Sequence, residues 1–370
     1  MTMPAEVFDV AIIGAGIAGA SLAAECAPYA RVLLVEAEDT PGYHTTGRSA
    51  AFWEETYGGP GVFPLTMASG RFLREGGYLS QRGALNIGRA GDRHKVEAFV
   101  EKFSALGATL HLQDRAALEA RVPGLRSDWI VGAWEPECAD IDVAALHQHY
   151  LAASKRTGSV LRVRARVEQI EREGAGWRIA WKDGEARCTV LANAAGAWAD
   201  DVAVQAGASA VGVQPLRRTI VQLRTDPVPD DRLPLTLGIN EDFYFKPQGG
   251  RLWLSPHDEI PDVAGDAAPE ELDVAIAIDR FEQVVDWKIA AMERRWAGLR
   301  SFAPDRLPVY GFDAKVSGLF WFAGQGGFGI QTAPAAARLG AQLLLGLPRD
   351  DLTAEIDAAV YAPARFVTPA

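Results

Sequence analysis

The chain has 370 residues, of which 48% are apolar and 23% charged, a balance typical of a globular protein with room for two domains. Its formal net charge of −11 argues against nucleic-acid binding, which depends on Lys and Arg neutralising phosphates. Cys26, Cys138 and Cys188 are scattered and form neither a metal-binding spacing nor a disulfide framework. No apolar run approaches a membrane span and no cleavable leader precedes the first predicted strand, so a cytoplasmic protein is expected.

The first predicted elements form a strand, a turn, a helix and a second strand. Residues 8–13 are an apolar run typical of a buried parallel strand, and Gly14, Gly16 and Gly19 follow at once. In this pattern the glycines permit a tight turn, a close approach to pyrophosphate and close helix packing, while the helix N-terminus attracts phosphate. A second apolar strand ends at Glu36, where a carboxylate accepts hydrogen bonds from ribose hydroxyls. The unit predicts a dinucleotide site.

A polar, glycine-punctuated loop follows at residues 39–51. We expect this loop to wrap the phosphates of the cofactor, with Arg48 as their charge partner; the alternative is an ordinary surface loop. Between residues 52 and 140 the pattern loosens, and the chain is expected to leave the dinucleotide domain. The elements predicted there are helices at 65–74, 92–106 and 114–122 and strands at 79–87 and 130–134.

Residues 142–157 are predicted to form another helix. Its histidines, His147 and His149, are two positions apart and do not share a helical face, which favours surface or packing roles over metal ligation. No metal site is predicted. Strands are expected at 160–171, 177–181 and 187–191, and the last runs into the small residues 192–197, where backbone again approaches a ligand closely. We interpret this stretch as a return to the cofactor domain.

The last part of the chain combines predicted strands with glycine-rich turns. Within the strand at 243–246, Tyr244 and Lys246 are expected on one face and Phe243 and Phe245 on the other. Four glycines within residues 324–329 precede the final helix and indicate a second site of close backbone approach. The other predicted elements are strands at 211–224, 296–302 and 319–323 and helices at 270–286 and 334–345.

Five stretches of the chain together resemble a known family. They are the opening glycine fingerprint and residues 42–51, 193–198, 296–302 and 324–332. The chain is similar over nearly its full length to the D-amino acid oxidase superfamily of FAD enzymes, and in detail to the bacterial FAD-dependent D-arginine dehydrogenases. The resemblance implies an α/β fold, α+β overall, with a Rossmann-like FAD-binding domain and a substrate domain whose mixed or antiparallel sheet covers the flavin. It assigns residues 1–51, 141–210 and 303–370 to the first domain and residues 52–140 and 211–302 to the second.

The resemblance also implies the roles of individual residues. Arg218 and Arg300 would bind a substrate carboxylate, Tyr244 would donate its hydroxyl to it, Tyr57 would lie near the substrate entrance, and the backbone of Gly327 would accept from the substrate amine. FAD would be bound non-covalently, since the late glycine loop has no cysteine. The implied cofactor-binding residues are Gly14, Gly16, Ile17, Ala18, Gly19, Glu36, Ala37, Thr46, Arg48, Ser49, Ala50, Ala51, Val167, Ala194, Ala195, Gly196, Trp198, Gly324, Gly326, Gly327, Phe328, Gly329, Ile330, Gln331 and Thr332.

The reaction implied by the resemblance is hydride transfer from the substrate Cα to flavin N5. The product is an imino acid that water hydrolyses to a 2-oxo acid, and oxygen or a quinone accepts the electrons. A guanidinium that is always charged and binds bidentately suits the substrate carboxylate. Without the resemblance, Arg300 also fits a structural ion pair and Tyr244 a core position.

Three pocket positions differ from those of the D-arginine dehydrogenases. Ala84 stands where those enzymes carry an acid for the guanidinium, while Phe52 and Glu54 stand where they carry His and Thr. Phe52 should favour apolar side chains, and Glu54 either receives a basic side chain or is solvated. The expected substrate is a D-amino acid with an apolar side chain. Alternatives are a secondary amine or N-substituted glycine and, more remotely, an NAD-binding or non-catalytic dinucleotide-binding protein.

Overall fold

The computed structural model describes residues 6–366. Its helices are α1 (Ile17–Cys26), α2 (Phe63–Glu75), α3 (Arg93–Ser104), α4 (Arg115–Arg121), α5 (Val143–Arg156), α6 (Ala199–Gln205), α7 (Glu271–Glu282) and α8 (Ala333–Leu345), with 3-10 turns at Thr46–Arg48, Ala90–Asp92, Gly196–Trp198, Ala358–Tyr361 and Pro363–Phe366. Its strands are β1 (Glu6–Ile13), β2 (Val32–Val35), β3 (Phe52–Trp53), β4 (Leu79–Gln81), β5 (Ala84–Arg89), β6 (His111–Asp114), β7 (Trp129–Glu135), β8 (Ala139–Ile141), β9 (Val160–Arg162), β10 (Val167–Glu173), β11 (Gly176–Trp181), β12 (Gly184–Asn193), β13 (Gln214–Asp226), β14 (Leu235–Gly238), β15 (Tyr244–Gln248), β16 (Arg251–Ser255), β17 (Ile260–Pro261), β18 (Lys288–Phe302), β19 (Val309–Phe312), β20 (Leu319–Ala323) and β21 (Gln325–Gly326).

The first sheet has eight strands and is built around β1. Its main order is β10-β11-β12-β1-β2-β9, and β20 pairs with β12 and with β19. β1 runs parallel to both β12 and β2. Val10 and Ile12 pack with α1 and α8 on one face, whereas Ala11 and Ile13 pack with β11 and α6 on the other. Burial on both faces explains why β1 is apolar almost throughout.

The second sheet has ten strands and is mixed, mostly antiparallel. Its order is β21-β18-β13-β16-β15-β14-β5-β7-β6, with β17 on β13, and β14 runs parallel to β5. The alternation predicted for β15 is confirmed: Phe243 and Phe245 pack in a core with α4 and α7, and Tyr244 packs in a separate cluster on the opposite face. Phe52 and Ala84, which are predicted to line the substrate pocket, pack on this second face with Tyr244.

Three predicted strands differ from those observed. The expected strand at 79–87 is two strands in different sheets, because Gly83 turns the chain with φ +81° against the Trp134 ring. The expected strand at 160–171 divides into β9 and β10, because Arg164 adopts a left-handed φ of 53° between them. The short segment at 296–302 is the end of the 15-residue strand β18. β3, β8 and β4 form a small third sheet.

The two large sheets meet through the loops that follow the strands of the first sheet. β21, which lies just after β20, pairs with Ser301 and Phe302 at the end of β18. The hydroxyl of Thr45 donates to the backbone carbonyl of Leu299 at 2.7 Å. These contacts place the glycine-rich segments against the second sheet. Of the helices named above, none has the length and apolar character needed to cross a bilayer.

Candidate active site

A cavity of about 810 Å³ lies where β1 and β2 end, which is where ligands bind in open parallel sheets. Its walls come from the first glycine turn, the ends of β2 and β12, the 42–46 loop and the late glycine segment. Most of the predicted cofactor-binding residues line this cavity. They are Gly14, Gly16, Ile17, Ala18, Glu36, Ala37, Thr46, Val167, Ala194, Ala195, Gly196, Trp198, Gly326, Gly329 and Ile330.

The first glycine turn is too tight for any side chain. Gly14 has φ +99°, and a Cβ on it would lie 2.5 Å from the Ala194 carbonyl oxygen. A Cβ on Gly19 would lie 1.8 Å from the Gly14 carbonyl oxygen, because α1 crosses β1 closely there. The amide of Ile17 at the start of α1 donates to Thr46 Oγ1 at 3.0 Å. The cavity wall therefore presents backbone and a helix N-terminus, the setting that a dinucleotide phosphate requires.

Glu36 is fixed at the end of β2, in the wall of the cavity. Its Oε2 accepts from the backbone N–H of Ala15 at 2.9 Å, and its Oε1 accepts from that of Glu38 at 3.0 Å. The side chain is buried, yet its residue lines the cavity. These two bonds hold the carboxylate with acceptor capacity left over, as a ribose-binding acid needs.

The aromatic and histidine side chains near this cavity have packing partners. Trp198 packs against His44 with ring centroids 4.8 Å apart, and both residues line the cavity. His147 is buried, donates from Nε2 to the Ala15 carbonyl at 2.9 Å, and has its pKa lowered by burial. The packing role expected for His147 is thus confirmed.

Arg48 is placed differently from the prediction. Its guanidinium forms an ion pair with Asp266 and donates to the backbone carbonyls of Ala267 and Ala297, and it is not among the residues that line the large cavity. Its charge is therefore neutralised by protein, so it is not the free charge partner expected for phosphate. The following residues, Ser49, Ala50 and Ala51, line a separate cavity of about 540 Å³ together with Lys246.

The late glycine segment connects the cofactor cavity to the substrate residues. Gly324 packs against Val309 and Ala303 with φ +72°, and Phe328 is buried against Tyr57 and Phe302. Two further residues that were predicted to bind the cofactor stabilise the segment through hydrogen bonds. Gln331 accepts from the Glu54 amide at 3.2 Å and donates to the Thr66 hydroxyl at 2.9 Å, and Thr332 Oγ1 donates to the Phe328 carbonyl at 2.8 Å.

The five predicted catalytic residues come together beside this segment. A Cβ on Gly327 would lie 2.0 Å from Tyr57 Oη and 3.1 Å from an Arg300 guanidinium nitrogen. Arg300 Cζ lies 5.9 Å from the Tyr57 ring centroid, and Arg218 Cζ lies 5.9 Å from the Tyr244 ring centroid. The register of β13 with β18 pairs Arg218 with Gly298 and Leu216 with Arg300, which directs both arginines to the same face.

Two polar atoms in this group are buried without a protein partner. They are Nη1 of Arg218 and Oη of Tyr244, in residues that are 3% and 1% exposed. The alternative role of Arg300, a structural ion pair, is not found within residues 6–366. By contrast, Arg217 on the opposite face pairs with Asp273 at 3.1 Å. Buried donors without acceptors are costly, so these atoms indicate a ligand with acceptor oxygens.

The two arginines affect each other electrostatically. Burial, followed by the charge of Arg300, lowers the pKa of Arg218. Burial by itself would lower the pKa of Arg300 as well. The interactions with Tyr57, Tyr244 and nearby acids outweigh this effect, so the pKa of Arg300 is raised. Two like charges at a buried site create a positive potential that an incoming carboxylate neutralises.

An aromatic wall adjoins the arginines. The Phe52 ring lies 5.5 Å from Tyr57 and 6.1 Å from Tyr244, measured between centroids. Phe52 and Ala84 belong to one buried cluster with Tyr244, Leu235 and others. The side chains that Phe52 and Ala84 contact in this cluster are apolar or aromatic.

Glu54 is not solvated, which corrects one of the expectations for it. Its side chain is buried at 2% exposure, and burial raises the pKa of Glu54 to about 7, against weaker lowering by Thr56 and Asn86. The reason is tertiary: Glu54 follows β3 directly and is covered by β5 and β7 of the second sheet. Its neighbour Glu135, on β7, is fully buried as well.

Sequence reasoning missed the loop after β16, which supports Arg218. The backbone carbonyl of Asp258 accepts from Arg218 Nε at 2.6 Å, and Glu259 accepts from Arg218 Nη2 at 3.4 Å. His257 has φ +55°, donates from Nδ1 to the Glu241 carbonyl at 2.6 Å, and packs edge-on to Tyr244. Burial, followed by the arginine charges, lowers the pKa of His257 to about 2, so it stays neutral. A lone histidine in a loop gives no sequence signal for this role.

Residues 9–343 match the sequence family of FAD-dependent oxidoreductases of the D-amino acid oxidase type. The chain belongs to this family. The predicted family, fold class and FAD cofactor are therefore confirmed, and the NAD-binding alternative is wrong. The glycine cradle at Gly14 and Gly19 and the carboxylate of Glu36 fit the adenosine diphosphate half of FAD.

Curated relatives match at low identity. Hydrogen cyanide synthase subunit HcnC of Pseudomonas aeruginosa is 27% identical over 283 residues, covering 74% of this chain and 64% of that protein. The bifunctional protein ThiO/ThiG of Nostoc sp. is 27% identical over 244 residues, covering 65% of this chain and 36% of that protein. The chain thus spans less than two thirds of the length of these relatives.

Solved structures share the fold over almost the whole chain. Glycine oxidase from Geobacillus kaustophilus has a TM-score of 0.84 at 21% identity, covering 98% of this chain and 100% of that chain. L-proline dehydrogenase from P. horikoshii has a TM-score of 0.84 at 21% identity, covering 98% of each. Iminodiacetate oxidase from Chelativorans sp. BNC1 has a TM-score of 0.78 at 24% identity, covering 96% of this chain and 98% of that chain. At these identities the likeness establishes the fold alone.

Proposed function

We propose that this FAD-dependent oxidoreductase oxidises the carbon–nitrogen bond of an amino acid whose carboxylate is bound by Arg218, Arg300 and Tyr244. One observation carries the proposal: the buried Arg218 and the half-buried Arg300 converge beside a tyrosine, and Nη1 of Arg218 and Oη of Tyr244 lack protein partners. A carboxylate offers acceptors to all three side chains, and charge-assisted bonds to guanidinium are among the strongest in proteins.

The remaining residues orient the substrate for the redox step. Bound FAD supplies a two-electron acceptor for the hydride of the substrate Cα. With the carboxylate held at the arginines, the backbone carbonyl of Gly327 accepts from the substrate amine and orients the Cα, and the hydride leaves from the neutral amine. Tyr57 bounds the proposed substrate site on the side next to Gly327. The imino acid product is then hydrolysed by water to a 2-oxo acid.

The substrate side chain extends toward the wall of Phe52 and Ala84, which supports an apolar group. The D configuration rests on the family resemblance. The main alternative is a secondary amine or an N-substituted glycine. The same arginines can bind the carboxylate of either class of substrate, so the pocket wall would decide between the two classes. Fold neighbours named for glycine, L-proline and iminodiacetate carry this architecture with different substrates.

We also propose that the two large sheets belong to two domains with different functions. Residues 1–51, 141–210 and 303–370 form the FAD-binding domain, and residues 52–140 and 211–302 form the substrate domain. The strand content of the two sheets supports these limits, except that β21, within residues 303–370, pairs in the second sheet. Residues 1–5 and 367–370 lie outside the described part of the chain.

The test is anaerobic reduction of the FAD absorbance by a panel of compounds. The panel contains D- and L-amino acids, N-methylglycine and amines that lack a carboxylate. Fastest reduction by apolar D-amino acids supports the proposal, whereas D-arginine as the best substrate contradicts the apolar preference. If no carboxylated amine reduces the flavin, the proposed function is wrong. Admitting air afterwards shows whether oxygen accepts the electrons or a quinone is needed.

A further inference from the structure

Two buried carboxyl groups, those of Glu54 and Glu135, meet at one hydroxyl. Thr56 Oγ1 lies 2.8 Å from Glu135 Oε2 and 3.3 Å from Glu54 Oε1. Glu54 is 2% exposed and Glu135 is 0% exposed. A threonine hydroxyl has one proton to donate and otherwise accepts. Two ionised carboxylates would have to share this single proton, whereas a protonated carboxyl group can donate to Oγ1 while Oγ1 donates to the other carboxylate.

The hydrogen-bond pattern shows which carboxyl group holds this proton. Glu135 accepts from the backbone N–H of Glu55 at 2.5 Å and from the Thr56 hydroxyl, so each of its oxygens has a donor. Glu54 has fewer donors: Asn86 lies close enough to lower its pKa but its side-chain nitrogen makes no hydrogen bond, and Oε2 of Glu54 has no partner. A buried carboxylate needs donors to offset its lost hydration, so Glu135 is the ionised member and Glu54 the protonated one.

The groups around the pair also favour retention of one proton by the two carboxyl groups. The titratable groups that act on it are Glu55 from the same turn and Glu241 from the loop between β14 and β15, and both are acids. Cys138, just before β8, remains a thiol because burial raises its pKa well above the ordinary value. Burial also raises the pKa of Glu135, and the adjacent Glu54 adds to that rise. A second negative charge on the pair would therefore not be offset by these neighbouring groups, which are acids themselves.

We propose that Glu54 and Glu135 share one proton through Thr56 at neutral pH and that this acid pair sets the charge of the substrate-pocket wall. Glu135 lies directly opposite Ala84 in the register of β5 with β7, and Ala84 packs in one cluster with Phe52. The wall carries one negative charge while the proton is held and two after it is lost. It thus becomes more favourable to cationic substrate side chains, relative to uncharged ones, as the pH rises. This consequence for the substrate rests on the proposed amino acid oxidation.

The shared proton is tested without turnover, by infrared difference spectroscopy of the FAD-loaded protein across a pH titration. A protonated buried carboxyl group gives a C=O stretch distinct from that of an ionised one. We expect this band at pH 6 and its loss as the pH rises past the pair's second deprotonation. Glu54→Gln, which resembles the protonated acid in shape and hydrogen bonding, should remove the band. Glu137→Gln, at an exposed acid that pairs with Arg74, should keep it.

The charge of the wall is tested with two substrates that have the same six-carbon chain, D-norleucine and D-lysine, of which only the second carries a terminal ammonium group. In the native protein, the kcat/KM ratio of D-lysine to D-norleucine should rise on the order of tenfold with pH across the deprotonation of the pair, since one charge is added at a partly buried site. Glu54→Gln fixes the wall at one negative charge and should flatten this rise, and Thr56→Val should shift its midpoint. Glu137→Gln should behave like the native protein.

Each result bears on a different claim. Absence of the infrared band from the native protein at pH 6 would overturn the shared proton. A band with an unchanged pH response of the substrate ratio in Glu54→Gln would overturn its effect on specificity. If no amino acid reduces the flavin, the proposed function fails, the specificity effect fails with it, and the infrared band still decides the shared proton.

Discussion

Replacing Arg300 with alanine is the most direct test of the carboxylate site. Arg300 is half-buried, close to Tyr57 and Gly327, and its charge lowers the pKa of Arg218. Removing it takes away one of two guanidinium groups offered to the substrate carboxylate. It also removes a repulsion in the ligand-free protein. We therefore expect a loss of catalysis without a loss of stability.

The magnitude follows from the partners that remain. Truncating one member of a buried, hydrogen-bonded charge pair costs roughly 2–5 kcal/mol. Arg218 and Tyr244 still bind the carboxylate in Arg300→Ala, so the lower part of this range, about 2–3 kcal/mol, applies. Since about 1.4 kcal/mol is a factor of ten, kcat/KM should fall roughly 30- to 160-fold.

The assay is anaerobic flavin reduction with an amino acid and with the corresponding amine that lacks the carboxylate. Arg300→Ala should lower kcat/KM for the amino acid and leave that for the amine almost unchanged, while the melting temperature stays the same or rises. Arg295→Ala is the matched control, because Arg295 is on the same strand and its side chain is exposed. An unchanged kcat/KM for the amino acid, at full FAD content, would remove Arg300 from the site.

Three further substitutions probe the rest of the site. Gly19→Ala places a methyl group 1.8 Å from the Gly14 carbonyl oxygen and should abolish FAD retention, measured by the absorbance of released flavin, whereas Gly91→Ala, which meets no atom within 4 Å, should retain FAD fully. Tyr244→Phe removes a hydroxyl without a protein partner, so KM for carboxylated substrates should rise by roughly fivefold, about 1 kcal/mol, with no drop in melting temperature; an unchanged KM would contradict this. Glu54 has a folded pKa of about 7 against an ordinary 4.5, so the native state binds the extra proton and stability falls as pH rises from 4.5 through 7. Glu54→Gln should therefore gain about 3 kcal/mol over the native protein at pH 8 but not at pH 4, measured by denaturant unfolding, and an equal gain at both would refute the raised pKa.

The sequence predicted the cofactor half of the fold well because its constraints are local. Gly14, Gly19 and Glu36 lie within one strand–helix–strand unit, where the spacing alone dictates the turn, the close approach and the position of the acid. The strand alternation of β15 was equally local, since Tyr244 and Phe245 differ only in the face they occupy. Strand ends were less predictable, because breaks at Gly83 and Arg164 depend on backbone conformations that hydrophobic periodicity does not register.

The electrostatic details of the site could not be predicted because they depend on distant partners. The charge of Arg48 is paired with that of Asp266, a residue 218 positions away in a loop with no recognisable pattern. Glu54 is buried because Glu135 and the second sheet cover it, and no local rule forecasts an acid pair. One signal was available: Glu135 is a charged residue in an otherwise apolar strand, which indicates either a strand end or a buried acid with a specific partner.

The acid pair and the arginine pair are opposite solutions to the same problem of burying like charges. Glu54 and Glu135 avoid two charges by holding a proton, which carboxyl groups do readily near neutral pH. Arg218 and Arg300 have no such option, since guanidinium does not lose its proton in proteins. Their repulsion is instead offset in part by Asp258 and Glu259 and is relieved fully by an anion. The arginine site is thus stabilised by its ligand, whereas the acid pair needs no ligand and can adjust the charge of the pocket wall.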